Sequence, residues 1–402
     1  MNVFGIVAEY NPFHMGHLYH MQETIRRYGN GEGAVVCVMS GSFVQRGDIA
    51  VFDKYARAEA AVRSGADLVL ELPLPWALAS AARFAGGAVG ILGSLGVVSH
   101  ISFGSECGNI EQLTEVAVAL LDPMLDEELR LEFATQPVSY PVARQRVLER
   151  RIGDAARILE SPNNLLAVEY IKALYDQMLD DIQPVTIERL GAGHDSADGS
   201  ELYHSASELR GMLQSGYSIA ELLPREAAKV YAREELHGRG PVLIDHLELP
   251  IISRLRALKE CDFAALPDAT EGLENRLFRA CLTEPTLEGI LSAAKTKRYA
   301  LSRLRRMLIC AALGITAEHV EYTPPYTRLL AANDVGRELL REVKRRGRIP
   351  VIDKPASVKE LPMEEKRLFR IESSATDFYV LGYRAVEERR GGSAWRDTPF
   401  IL

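Results

Sequence analysis

Two adjacent stretches decide the fold of this chain: the apolar run Val3-Phe4-Gly5-Ile6-Val7-Ala8 and, shortly after it, His14-Met15-Gly16-His17. The run is short and β-prone, which predicts a buried strand, and residues 18–28 have the pattern of a helix. The two histidines are therefore expected on a strand-to-helix turn. Unpaired N–H groups at a helix N-terminus suit a phosphate, and Gly16 leaves room for a triphosphate to approach. His14 and His17 can donate hydrogen bonds to charge that grows during reaction.

The alternative is that the two histidines are an unrelated surface pair. The order of strand, glycine turn and helix favours the functional interpretation, because that context makes such motifs credible.

Apolar and helical segments continue to alternate over the first 120 residues. We expect strands at 34–39, 68–72, 100–103 and 183–190, and helices at 53–64, 75–92, 110–121, 165–179 and 205–214. This alternation predicts an α/β fold with a Rossmann-like parallel sheet and right-handed crossovers. Ligands of such sheets bind beyond the carboxyl ends of the strands. The predicted site therefore lies where the histidine turn, the Gly41 loop and Gly104 converge.

Strand alternation is expected to cease beyond Ser218. We predict an ATP-binding catalytic domain over 1–217, with a helical insertion at 122–160, and a mainly helical C-terminal domain over 218–402.

Composition excludes several classes of protein. The chain has 402 residues, of which 47% are hydrophobic and 25% are charged, as in ordinary globular proteins. Its apolar runs are too short to span a bilayer, and polar residues interrupt the N-terminal run before a secretory core could form. The five cysteines lack zinc-ligand spacing, so reduced thiols, no metal site and a cytoplasmic location are expected. The net charge of −8 makes any nucleic-acid surface local rather than general.

The turn belongs to a longer and more specific string, Val7-Ala8-Glu9-Tyr10-Asn11-Pro12-Phe13-His14-Met15-Gly16-His17-Leu18-Tyr19-His20. His-x-Gly-His after a first strand resembles the nucleotidyltransferase superfamily that includes the class I aminoacyl-tRNA synthetases. The full string resembles the bacterial tRNA(Met) cytidine acetate ligase family. This resemblance implies a nucleotidyltransferase fold and the acetylation of the wobble cytidine of elongator tRNA(Met) from ATP and acetate.

The resemblance also implies that residues 7–20, Gly104, Asn163, Arg189 and Leu190 contact ATP. Gly104 would let adenosine approach the backbone, Asn163 offers a donor and an acceptor, and Arg189 can stack on a base or pair with a phosphate. A turn glycine, a helix cap and a rim cation are equally good interpretations of these residues without the resemblance.

A second motif is Ser205-Ala206-Ser207-Glu208-Leu209-Arg210. The hydroxyls of Ser205 and Ser207 at a helix start, with Arg210 behind them, form an anion clamp. The motif resembles the one that closes the site of small-molecule adenylyltransferases. The alternative is a helix cap with a surface arginine.

A third motif is the glycine-punctuated loop 39–48, followed by Lys54-Tyr55-Ala56-Arg57. Lys54 and Arg46 could face the phosphates or the small carboxylate, and we take Lys54 as a catalytic candidate beside His14, His17 and Arg210. The alternative is a solvated loop with ordinary surface charges.

A basic stretch in the second half predicts contacts with tRNA phosphates. An apolar stripe in the same stretch places these cations on the exposed face of a helix. Its cations are Lys295, Lys297, Arg298, Arg303, Arg305 and Arg306. A second basic run covers 341–348. Such runs can also be solvated helix faces.

By the resemblance, acetate attacks the α-phosphorus of ATP, pyrophosphate leaves, and the cytidine amine then takes the acetyl group from acetyl-adenylate. Positioning and electrostatics suffice for this reaction, and Mg²⁺ is expected on the phosphate oxygens. The expected partners are elongator tRNA(Met) and acetate, with no membrane and no stable protein partner.

Three alternatives stay open: a small-molecule adenylyltransferase, an acyl-adenylate ligase like pantothenate synthetase, and a non-catalytic RNA-binding protein.

Overall fold

The computed structural model describes residues 1–135, 138, 140–189, 203–270, 272–321 and 323–402. Its strands, in chain order, are β1 (Val3–Ala8), β2 (Ala34–Ser40), β3 (Phe43–Val44), β4 (Asp48–Ile49), β5 (Leu68–Leu72), β6 (His100–Ser105), β7 (Gln183–Glu188), β8 (Thr327–Ala332), β9 (Val351–Ile352) and β10 (Phe400–Ile401). The main sheet has the order β10-β8-β5-β2-β1-β6-β7, with β9 on β8, while β3 and β4 form a separate hairpin.

The core of this sheet is parallel, as the sequence predicts. Strand β1 pairs in parallel with β2 and β6, β2 with β5, and β6 with β7. Strand β2 is buried along its whole length, as expected for a central strand covered on both faces. The carboxyl ends of β1, β6 and β7 therefore meet at one edge, where the histidine turn begins.

Helices cover both faces of the sheet. In chain order they are α1 (Met15–Tyr28), α2 (Lys54–Arg63), α3 (Leu74–Ala77), α4 (Ala81–Ser94), α5 (Ile110–Leu121), α6 (Leu125–Thr135), α7 (Tyr140–Ile152), α8 (Pro162–Asp176), α9 (Ala206–Gln214), α10 (Arg225–Leu236), α11 (Glu248–Arg256), α12 (Glu260–Ala264), α13 (Leu273–Thr283), α14 (Leu287–Ala294), α15 (Leu301–Leu313), α16 (Asp334–Arg346) and α17 (Met363–Tyr379). Among the described residues, no helix is long and apolar enough to cross a membrane.

Most expected elements are present with small shifts of their ends. The expected helix 53–64 is α2, and the Asp53 carboxylate caps it by accepting from Tyr55 N at 2.8 Å. The expected helix 75–92 is in fact two helices, α3 and α4, separated at 78–80. The described residues of the stretch 122–160 are mainly helical as predicted, with α6, α7 and a 3₁₀ segment at Gly153–Glu160.

The expectation that strand alternation ceases beyond Ser218 is wrong, because β8, β9 and β10 alternate with helices between residues 327 and 401. Strand β8 lies beside β5, antiparallel to it, with Leu68 opposite Ala332 and Glu71 opposite Arg328. Its six residues are all buried. Periodicity cannot distinguish so short a buried strand from a helix segment, which is why the sequence analysis missed it.

The helical second half packs directly on the first half. Phe43, Ile49 and Leu74 share an apolar cluster with helices α11–α15. Tyr231 of α10 lies in another cluster with residues of β1 and β2. The boundary near residue 217 stays a prediction, but the main sheet is completed by residues on both sides of it.

Candidate active site

The two motif histidines cap helix α1 reciprocally. His14 is the N-cap residue, and its Nδ1 accepts from Gly16 N at 3.0 Å. His17 Nδ1 accepts from His14 N at 3.2 Å. The two rings lie 3.8 Å apart between centroids, tilted by 31°. Because each Nδ1 accepts a hydrogen bond, the ring proton of a neutral imidazole is assigned to Nε2 in both residues.

Both histidines are held neutral by their surroundings. Burial, followed by the charges of Arg189 and Arg210, lowers the pKa of His14 to about 3. Burial, then His14 and Arg189, lowers the pKa of His17 well below its usual value. Burial also lowers the pKa of His20 to about 4, and its Nε2 lies 2.9 Å from Ser102 Oγ. The turn therefore presents neutral Nε2–H donors, which need no proton from solvent to bind an anion.

The loop between β1 and His14 is fixed from three directions. The Asn11 side chain donates to Ile49 O at 3.1 Å and accepts from Val51 N at 2.8 Å. Phe13 N donates to Tyr231 Oη at 3.0 Å, and the Tyr231 ring stacks on Phe52 at 4.3 Å. The loop is thus held by β4, by the segment after β4 and by α10. These contacts fix the positions of the two histidines.

A pocket of about 180 Å³ opens over this turn. It brings together residues from α1, β6, β7 and the start of α9. Of the residues predicted from sequence to contact ATP or to catalyse, the lining contains His14, Gly16, His17, Tyr19, His20, Gly104, Arg189 and Ser205. Tyr203, His204 and Glu208 also line it, and the sequence analysis did not select them.

Gly104 leaves room for the Arg189 side chain. A Cβ built at Gly104 would lie 3.2 Å from Arg189 Cγ, so the absence of a side chain lets Arg189 lie across the strand end. Burial lowers the pKa of Arg189, while nearby Glu106 opposes that shift. Arg189 thus supplies a positive charge beside the histidines.

Helix α9 begins with a capping box. Ser205 Oγ accepts from Glu208 N at 3.2 Å, and Ser205 N donates to Glu208 Oε2 at 2.6 Å. Arg210 donates to Asn11 O at 2.8 Å and to Ser207 Oγ at 3.2 Å. Ser205 is therefore a helix cap and Arg210 reaches the motif loop, and the anion clamp stays a prediction.

Other predicted positions lie away from the pocket lining. Lys54 is buried, and its Nζ donates to both Glu71 oxygens at 2.7 and 2.8 Å. The Asn163 amide donates to Glu106 Oε1 at 2.6 Å, at the start of α8. Leu190 lies outside the described residues. The roles proposed for these three residues stay predictions.

Arg57 is a structural residue that the sequence analysis missed. Fully buried, it donates from Nε to Phe52 O at 2.9 Å, and its other nitrogens donate to the carbonyls of Glu9, Ser40 and Gly41. It therefore caps the carboxyl ends of β1 and β2. The one available signal was an arginine that stands between alanines in α2.

Glu9 lies near this arginine. Its Oε1 accepts from Gln45 N at 2.8 Å, in the β3–β4 hairpin. Burial raises the pKa of Glu9, and that bond together with Arg210, Arg46 and Arg57 opposes the rise. Glu9 joins the motif loop to the hairpin.

Two cations of the basic stretch are bonded within the fold, and the other four are exposed to solvent. Arg303 donates to Asp268 O and Thr270 Oγ1, and Arg306 is buried beside Asp268. Lys295, Lys297, Arg298 and Arg305 are exposed, although Lys295 Nζ also contacts Tyr299 O. Four of the six predicted contacts are thus free to meet a phosphate.

The second basic run lies elsewhere. Gly96 packs against Arg346, and Arg348 N donates to Ser94 O, in the segment that leads into the amino end of β6. It does not line the pocket over α1.

Comparison with known proteins identifies the family. The family model of HIGH nucleotidyl transferases matches residues 1–394. The tRNA(Met) cytidine acetate ligase of Acetivibrio thermocellus is 34% identical over 418 residues, covering 100% of both chains. That of Thermosipho melanesiensis is 32% identical, covering 98% of both.

The chain belongs to the tRNA(Met) cytidine acetate ligase family. Its fold agrees with the crystal structure of Thermotoga maritima TmcAL bound with α-thio ATP, which is 32% identical, with a TM-score of 0.91 over 100% of both chains. The apo form of that ligase gives a TM-score of 0.92. The family resemblance in the string 7–20 and the predicted nucleotidyltransferase fold are confirmed.

Proposed function

We propose that this chain is an ATP-dependent ligase that activates acetate as acetyl-adenylate and transfers the acetyl group to the wobble cytidine of elongator tRNA(Met). The observation that carries the proposal is the pocket over α1, where two neutral histidines present Nε2–H donors beside a helix N-terminus. The names of the relatives agree with this activity, and they do not favour the small-molecule or non-catalytic alternatives.

The chemistry follows from the charges. ATP phosphates lie over the N-terminus of α1, where the helix dipole favours negative charge. His14 and His17 donate to the oxygens on which charge develops as acetate attacks the α-phosphorus. Arg189, and Arg210 from the loop side, stabilise the departing pyrophosphate. No side chain acts as a nucleophile.

Magnesium stays a prediction. Among the described residues, no group of three or more His, Cys, Asp or Glu side chains could hold a metal ion. Its ligands would be ATP phosphate oxygens, as Mg²⁺ usually prefers. A cytoplasmic location also stays a prediction.

The chemistry is tested by measuring pyrophosphate release from ATP with acetate, with and without tRNA, followed by mass spectrometry of the tRNA nucleosides. Pyrophosphate release together with acetylcytidine is expected. Release without acetylcytidine would instead indicate a small-molecule acceptor.

We propose further that the exposed cations Lys297, Arg298 and Arg305 bind tRNA phosphates, whereas Arg303 and Arg306 hold the fold. Replacing the three exposed cations by Ala should weaken tRNA binding at least tenfold and reduce its dependence on salt, because each phosphate contact releases counterions. The matched control replaces Arg341, Arg345 and Arg348, three exposed cations of the second run, and should bind tRNA like the parent. Equal losses in both variants would show that general charge, not this surface, governs binding.

A further inference from the structure

A second cavity of about 890 Å³ lies between the two halves of the molecule. One wall is formed by the β3–β4 hairpin and α9, and the other by α14, α15 and residues 242–248. Val242, Leu287, Leu291, Leu308 and Ile309 give it apolar walls. Its volume and apolar lining suit a ligand of nucleotide size.

Helix α9 separates this cleft from the ATP pocket. Ser205 and Glu208 line the pocket, whereas Ser207 and Arg210, on the same helix, line the cleft. Since Arg210 also donates to Asn11 O, the inner end of the cleft touches the motif loop.

Two exposed cations lie on the side of the cleft formed by α14 and α15. Lys295 and Arg305 line it and are exposed. In the described part of the chain, Arg305 makes no ion pair and no side-chain hydrogen bond. A Cβ at Gly47 would lie 2.3 Å from Arg306 N and 2.7 Å from Arg305 Cβ. The hairpin therefore packs directly on α15, which fixes the two walls relative to each other.

Asp48 lies on the hairpin between Gly47, which packs on α15, and Ile49, whose carbonyl oxygen accepts from the Asn11 side chain of the motif loop. It is half-buried, lines the cleft with Arg210, and its Oδ1 accepts from Ile49 N at 2.8 Å. Its Oδ2 has no hydrogen-bond partner among the described residues. The other acids of the cleft are placed differently: Glu248 accepts from Leu287 N at 2.9 Å, and Asp245 and Glu288 are exposed on the opposite wall.

We propose that the cleft seats the acceptor cytidine and that Asp48 is a further catalytic residue, which binds its exocyclic amine. An aspartate accepts well from cytosine N4, the donor that distinguishes this base. Lys295 and Arg305 hold the flanking phosphates while the base enters between the apolar walls, as in enzymes that act on an extruded base. This inference rests on the proposed function.

The transfer step balances with Asp48 as the proton acceptor. N4 forms a bond to the acetyl carbon, and the bond from that carbon to the adenylate oxygen breaks. AMP leaves with the electron pair, and the proton that N4 loses passes to the Asp48 carboxylate.

The test separates the two half-reactions in the full-length protein. Acetate-dependent exchange of pyrophosphate into ATP without tRNA reports adenylate formation, and single-turnover transfer to tRNA reports the second step. Asp48→Asn should slow transfer about 10²–10⁴-fold, the usual range for a general base, and lose far less of the exchange. Asp48→Glu, which restores a carboxylate, should recover part of the transfer rate.

The matched control is Asp181→Asn, an exposed carboxylate just before the amino end of β7, which should transfer like the parent. Transfer by Asp48→Asn within twofold of the parent, or equal losses in exchange and transfer, would overturn the role of Asp48. A parent protein that shows neither acetate-dependent exchange nor acetylcytidine would instead refute the proposed function.

Discussion

Substitutions of His14 separate its two roles, helix cap and phosphate donor. Its Nδ1 accepts from Gly16 N, while its Nε2–H is left for the ligand. Asn is among the best N-cap residues, but its side chain is too short to place a donor where Nε2 lies. His14→Asn should therefore keep the stability of the parent, whereas His14→Ala should lose about 1 kcal/mol of unfolding free energy.

Both variants should lose acetate-dependent pyrophosphate exchange to the same extent. Removing one preorganised donor to a developing negative charge costs about 10²–10³ in rate, or roughly 3–4 kcal/mol. Acetate-dependent pyrophosphate exchange at saturating ATP measures this loss of rate. Denaturant unfolding measures the stability that the helix cap contributes. If His14→Asn exchanged pyrophosphate at the rate of the parent, His14 would be only a cap, and the mechanism proposed here would be wrong.

Two further predictions concern the buried charges beneath the Gly41 loop. Lys54→Met should cost about 3–5 kcal/mol of unfolding free energy, because it leaves the Glu71 carboxylate buried and unpaired. The double variant with Lys54→Met and Glu71→Gln should recover most of that stability and keep pyrophosphate exchange. Loss of exchange in the stable double variant would instead show that Lys54 is catalytic. Burial, then Glu71, raises the pKa of Glu372 from 4.5 to about 7, so the folded state binds an extra proton between these values and the free energy of unfolding falls as pH rises from 4.5 to about 7. The loss of unfolding free energy over this pH range amounts to about 3 kcal/mol and should be absent in Glu372→Gln. Unfolding that depends on pH in the same way in the parent and in Glu372→Gln would contradict this prediction.

The first half of the fold could be predicted because its elements have distinct local patterns. Strands β1, β2 and β5 are short apolar runs bounded by polar turns, and α5 begins and ends where the pattern predicts. The position of His14 and His17 followed from that order alone. Gly104 and Arg189 were selected by resemblance, and the structure brings both to the pocket.

The rest depends on contacts between residues far apart in the chain. Nothing local indicates that Tyr231 accepts from Phe13 N, 218 residues away, or that Lys54 turns inward to Glu71. The basic stretch shows the same limit: its composition is visible in the sequence, but only the fold distinguishes Arg306, buried beside Asp268, from the exposed Arg305.

The antiparallel strand β8 has a consequence for how this protein is made. Strand β5 emerges from the ribosome long before its partner, since about 260 residues separate them, or some 10–50 s of synthesis at usual rates. Until then, one edge of a fully buried, apolar strand has no partner. Such an edge is a template for aggregation. The nascent chain therefore depends on slow folding of its first half, or on chaperone cover, until residue 332 has been synthesised.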